Sequence, residues 1–216
     1  MPKAPDKTKV QHVFILDQSG SMGAIKRALV TGFNEQVQNI KQAVNQFEDQ
    51  EQRVTFVVFD GIVDIKYLDR AALNLEELTE DTYKTCGTTA LYDAIVTTIK
   101  QVRETGSKRV ILNILTDGDD TGSQTYTAID AKEHIEQAKK DGWVVTLVGA
   151  KIDVEAMIAQ LGIPRGNAIN FDFDPRSVAN VSRSMNNSRT GYLRSMSAGV
   201  ADNVTYYNAN DSITNI

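Results

Sequence analysis

The chain has 216 residues, 41% of them hydrophobic, which fits one α/β domain and excludes a disordered polymer. Asp and Glu total 28 against 23 Lys and Arg, and the resulting net charge of -5 argues against a general nucleic-acid binder. A lone cysteine, Cys86, excludes an intramolecular disulfide and a cysteine zinc cluster, and His12 and His134 have no companion at metal-ligand spacing.

The opening stretch MPKAPDKTKV is charged and short, without the apolar core of a secretory signal, and no run reaches the roughly 20 apolar residues of a membrane helix. The expectation is a cytoplasmic protein whose residues 1–9 form an N-terminal extension. Val13 to Leu16 is a short apolar run, as in a strand buried on both faces. Behind it, Ile25, Leu29, Phe33, Val37, Ile40, Val44 and Phe47 form one stripe of an amphipathic helix. RVTFVVFDGIVDIKYL reads as two strands meeting at Asp60-Gly61, a hairpin signal that predicts an antiparallel pair.

Residues 69 to 85 are polar and irregular, with a short helix expected around Leu75 to Leu78. A helix follows with Leu91, Ile95, Ile99 and Val102 inward. VILNIL, at 110 to 115, is a second buried strand. Thr127 and Asp130 mark a capping box for the next helix, and Gly142 is placed to end it. WVVTLVGA is a third buried strand, followed by a short helix from Val154 to Leu161 and a weaker strand from Ala168 to Phe173. SVANVSRSMNN reads as a last helix through Val178, Val181 and Met185. The alternation predicts a doubly wound α/β fold: a mostly parallel six-stranded sheet, one antiparallel edge strand, and helices on both faces. The domain is expected over residues 10–190. Residues 191–216, rich in Asn and Ser, read as a loosely attached tail with Tyr206 and Tyr207 as its candidate anchors.

In an open parallel sheet, ligands bind beyond the carboxyl ends of the strands. DQSGSM, CGTTA and TDGDD all fall there, rich in short oxygen side chains and without histidine. Such hard donors suit Mg²⁺ or Mn²⁺, not zinc. Extended backbone after the first strand would put Asp17, Ser19 and Ser21 on one side.

Asp17-x-Ser19-x-Ser21, Thr89 in GTTALYDAI and Asp117 in ILTDGDD together resemble the metal-ion-dependent adhesion site of von Willebrand factor A (vWA) domains, over roughly residues 10 to 185. The resemblance implies a Rossmann-like vWA fold in which Ser19, Ser21 and Thr89 touch Mg²⁺ (or Mn²⁺) through hydroxyls, with Asp17 and Asp117 close by, often acting through waters. Thr88 competes with Thr89, which is preferred for its offset from Ile95. Asp93 matches a common feature of the motif or is a solvated helix residue. Asp119 and Asp120 are either loop solvation or secondary contacts. Cys86 reads as a packing residue, with a helix N-terminus available to lower its pKa.

What the resemblance implies is a non-enzymatic, metal-dependent module that engages an Asp or Glu of a partner protein. The compact style looks bacterial or phage-borne, and relatives of that kind often serve as adaptors to a MoxR-type AAA+ ATPase. The alternative is a phosphatase-like, metal-dependent hydrolase on the same oxygens. Against it, the Asp-x-Asp of haloacid dehalogenases has Ser19 at its second position, and no P-loop string occurs.

Overall fold

The computed structural model describes residues 7–172, 174–200 and 206–207. Six strands, β1 (Thr8–Asp17), β2 (Gln50–Phe59), β3 (Val63–Ala71), β4 (Arg109–Thr116), β5 (Val144–Ala150) and β6 (Ala168–Phe171), form one sheet in the order β3-β2-β1-β4-β5-β6. All neighbours are parallel except β2 and β3, whose hairpin turns at the expected Asp60-Gly61. There the Asp60 carboxylate accepts the Ile62 N–H at 3.0 Å. Five helices cover the faces: α1 (Lys26–Gln46), α2 (Leu91–Glu104), α3 (Ala128–Lys140), α4 (Val154–Leu161) and α5 (Pro175–Ser197).

The pleat divides β1 between two cores. Phe14 and Leu16 join Phe33 and Ile40 of α1, Phe56 of β2 and Val178 and Met185 of α5. Val13 and Ile15 face the other way, into Leu91, Ile95 and Ile99 of α2, Ile135 of α3 and Leu161 of α4. Each such residue fully removed from water stabilises the fold by roughly 2 kcal/mol, and because both faces bury apolar area the central strands β1, β4 and β5 are mostly apolar, whereas edge strand β3 is half-buried and mixes in Asp64, Lys66 and Asp69. The Thr127–Asp130 capping box opens α3, and Gly142, at φ +85°, follows its C-terminus. His12 is buried within β1, its Nε2 2.7 Å from Gln52 Oε1, and burial above all holds its pKa down to about 3.

Two local expectations differ from the structure. Leu75 to Leu78 is not helical; a 3₁₀ turn at Ala72–Asn74 precedes it. The Asn34 side chain of α1 occupies both backbone groups of Leu78, at 2.8 and 2.9 Å, which satisfies them without a helix. Secondary structure also extends past the 10–190 bounds at both ends, from Thr8 to Ser197. The end of α5 looks polar because its inward residues are polar. Arg189 is fully buried and its guanidinium donates to Asn39, Asn186 and Gln36, at 3.1, 3.0 and 2.6 Å. Tyr206 and Tyr207 are buried too, their N–H groups donating to Asn167 Oδ1 at 2.8 Å and the Gly166 carbonyl at 3.1 Å. The remainder of the expected tail, 201–205 and 208–216, lies outside the described residues. Among the described residues no helix is long and apolar enough to cross a membrane.

Candidate functional site

The sheet order reverses its winding between β1 and β4, so their carboxyl ends flank a crevice where connections lead away on both sides. Asp17, the last residue of β1, is fully buried there. Its Oδ1 accepts the Ser19 N–H at 2.7 Å, and its Oδ2 accepts the hydroxyl of Thr116, the last residue of β4, at 2.6 Å. Ser19 Oγ lies 3.2 Å from Ser21 Oγ, and Ser21 donates to Asp117 Oδ1 at 2.9 Å. Four of the five expected residues therefore form one continuous polar chain across the crevice.

The backbone reaches this arrangement differently from the expectation. Ser19 is extended, at φ -56° and ψ 164°, but Gly20–Ile25 then winds into a 3₁₀ helix. A tight turn, and not an extended strand, brings Ser21 back beside Ser19.

Thr89 belongs to the same face at one remove. It is buried, and its N–H and carbonyl bond the Asp117 loop: to the Thr121 hydroxyl at 3.1 Å, and from the Thr121 and Gly122 N–H groups at 2.9 and 3.0 Å. No hydrogen bond joins its hydroxyl to the other four. The rival Thr88 is exposed, with Oγ1 turned toward Gly122, where an added Cβ would approach it to 2.5 Å.

Both acids are electrostatically costly as they stand. Burial, foremost, pushes the Asp17 pKa up, the Asp117 charge adds to it, and bonds from Thr116 and Ser19 oppose it. Burial likewise raises Asp117, against the Ser21 bond. Asp117 Oδ2 is enclosed without a partner. An enclosed, unsatisfied carboxylate oxygen beside a second desolvated acid and two hydroxyls is a donor set that a hard divalent cation fits. Among the described residues no three His, Cys, Asp or Glu side chains converge, so hydroxyls would have to complete the shell.

The neighbouring candidates take clear roles. Asp93 is not merely solvated: its carboxylate accepts the N–H groups of Gln124, Thr125 and Tyr126, at 2.9, 3.1 and 2.7 Å, bracing the loop that carries Asp117. Asp120 accepts the Tyr92 N–H at 3.3 Å and the Ser123 hydroxyl, whereas Asp119 is exposed. Cys86 is exposed, contrary to the packing reading; its thiol donates to Asp60 Oδ2 at 3.3 Å, and that carboxylate pushes its pKa up, not down. The sequence reading gave no role to Thr116 or Tyr83. Thr116 stood in the quoted ILTDGDD; the signal for Tyr83 was a large aromatic within an otherwise polar stretch.

The von Willebrand factor type A domain model matches residues 13–187, and the chain belongs to that family. Among solved structures it is similar to proximal thread matrix protein 1 from the mussel byssus with a zinc-occupied MIDAS motif (TM-score 0.56, 12% identity, 82% of this chain and 44% of that one). It is also similar to a von Willebrand factor type A protein from Catenulispora acidiphila (TM-score 0.57, 18% identity, 85% and 43%). A third is the vWF domain of the type V pili tip protein Mfa5 from Porphyromonas gingivalis (TM-score 0.57, 10% identity, 84% and 96%). At these identities the likeness shows the fold, and the chain spans less than half the length of the first two. No curated protein sequence matches at a significant level.

Proposed function

We propose that this vWA domain is a non-catalytic, divalent-metal-dependent protein-binding module whose adhesion site is built from Asp17, Ser19, Ser21, Thr89 and Asp117. The observation that carries the reading is the polar chain from Asp17 through Ser19 and Ser21 to Asp117, which ends on an enclosed carboxylate oxygen without a partner. The donors are all oxygens, which favours Mg²⁺, with Mn²⁺ as the close substitute. The zinc-occupied motif of the mussel protein supports a metal at the corresponding place in the fold. When bound, the cation supplies a coordination position that an acidic side chain of a partner can take.

The chain's own residues do the rest. Thr116 and the Ser19 N–H hold the Asp17 carboxylate, Ser21 orients Asp117, and Asp93 holds the loop behind it. Neutral hydroxyls leave much of a cation's charge unquenched, which favours an incoming Asp or Glu. Histidines that general base chemistry would use lie elsewhere: His12 in the core, and His134 on α3 with Nδ1 2.9 Å from the Asp130 carbonyl. The resemblance makes a MoxR-type AAA+ ATPase in a bacterial or phage cytoplasm the partner class to try first. Immobilised domain should retain such a partner in Mg²⁺ and release it into EDTA, and Asp17→Ala should retain none. Retention that survives complete chelation would overturn the reading.

A further inference from the structure

The loop between β3 and α2, residues 72–90, is fastened to the candidate site by contacts that the proposed function leaves unexplained. Cys86 N–H donates to the Gln18 carbonyl at 2.9 Å, and Gly20 N–H to the Gly87 carbonyl at 3.4 Å. Asn34 clamps the same loop to α1 through Leu78. The remaining tie is a side chain. Tyr83 is 1% exposed, its ring is part of the core with Phe14 and Phe33, and its hydroxyl donates to the backbone carbonyl of Asp17.

Packing does not account for that hydroxyl. Phenylalanine would bury the same ring with no polar atom to satisfy. The bond falls at the peptide that leaves β1 and opens the turn toward Ser19 and Ser21. The N–H side of the Asp17–Gln18 peptide is held by the Phe59 carbonyl at 2.7 Å, and Tyr83 holds its carbonyl side. Two residues on, the Ser19 N–H meets Asp17 Oδ1, so a tilt of that peptide once its carbonyl is released would shift both serine hydroxyls relative to Asp117. The tyrosine also lies within electrostatic range of both the Asp17 and Asp117 carboxylates.

We propose that Tyr83 is a positioning residue: by holding the Asp17 carbonyl it fixes the turn that presents Ser19 and Ser21, and so sets the affinity of the site without touching a cation. The proposal rests on the cation-binding reading above. Outer residues that orient metal ligands change affinity by roughly 10- to 100-fold when removed, and an unsatisfied buried carbonyl frees the turn to relax.

Tyr83→Phe tests it, with Mg²⁺ titrated by calorimetry and by thermal shift. The expected result is a folded variant whose Mg²⁺ affinity is weaker by about 10-fold or more, and whose Mg²⁺-induced rise in Tm shrinks. A purely structural hydroxyl would lower Tm equally with and without Mg²⁺, leaving affinity and the induced rise unchanged; that result overturns the positioning role alone. A wild type without any Mg²⁺ response overturns the cation reading and this proposal with it. If Tyr83→Phe is too unstable to titrate at 25 °C, the same titrations run on it and on the wild type at a temperature below its Tm decide by the same outcomes.

Discussion

Asp117→Ala is expected to abolish stabilisation by Mg²⁺ while leaving the metal-free domain at least as stable as the wild type. The carboxylate accepts from Ser21 through one oxygen, and its other oxygen is enclosed and unsatisfied. It also raises the pKa of the buried Asp17. Removing it loses one hydrogen bond from an exposed serine but relieves both the desolvation and the repulsion. The pH dependence has a definite sign. A carboxyl whose folded pKa is raised stabilises the fold at pH below its unfolded value, and that contribution is lost as pH rises through the folded pKa. Metal-free wild type should therefore lose stability as its site acids ionise, and the loss should be smaller in Asp117→Ala. Thermal unfolding across that range, with and without Mg²⁺, checks both halves. A metal-free variant clearly less stable than the wild type would mean that Asp117 is structural.

Tyr207→Ala should destabilise the domain by about 4 kcal/mol, the usual loss for a buried aromatic, or roughly 10 °C in Tm for a domain of this size. The ring is 1% exposed, and its centroid is 5.2 Å from that of Tyr206, which in turn stands 6.0 Å from Tyr192 of α5. The backbone is tied to Gly166, just before β6, so the pair packs α5 against the β6 end of the sheet, within the core that α1 also covers. Thermal denaturation of the substituted full chain is the check. A change within 1 °C would mean that these tyrosines are no anchor.

That second case shows where sequence reading reaches its limit. The strands and first four helices were legible because their patterns are simple: Val13 to Leu16 is apolar on both faces, Val110 to Leu115 is apolar but for Asn113, and the α1 stripe repeats at three and four. The end of α5 was not, since Ser182, Ser184, Ser188 and Arg189 face inward and pair with side chains far away in sequence, or with none. Hydropathy cannot register a buried arginine that Gln36 and Asn39 solvate.

The site divides in the same way. Its oxygen donors were visible as DxSxS and TDG because their chemistry is local. The supporting bonds were not legible, although Asp93 itself matched the motif, because each is long-range: Thr116 to Asp17, Asp93 to Gln124 through Tyr126, Tyr83 to the Asp17 carbonyl. Cys86 was misjudged for a related reason, since its partner Asp60 comes from the β2–β3 hairpin.

The most direct test of the account is calorimetric titration of Mg²⁺ into chelator-treated wild type and into Ser19→Ala. Ser19 is almost wholly buried and its Oγ lies 3.2 Å from Ser21 Oγ, within the site and not in the apolar core, so the substitution removes a proposed cation ligand with little cost to the fold. Saturable binding to the wild type that disappears in a folded Ser19→Ala is the predicted result. Superimposable isotherms, or none from the wild type, would contradict it.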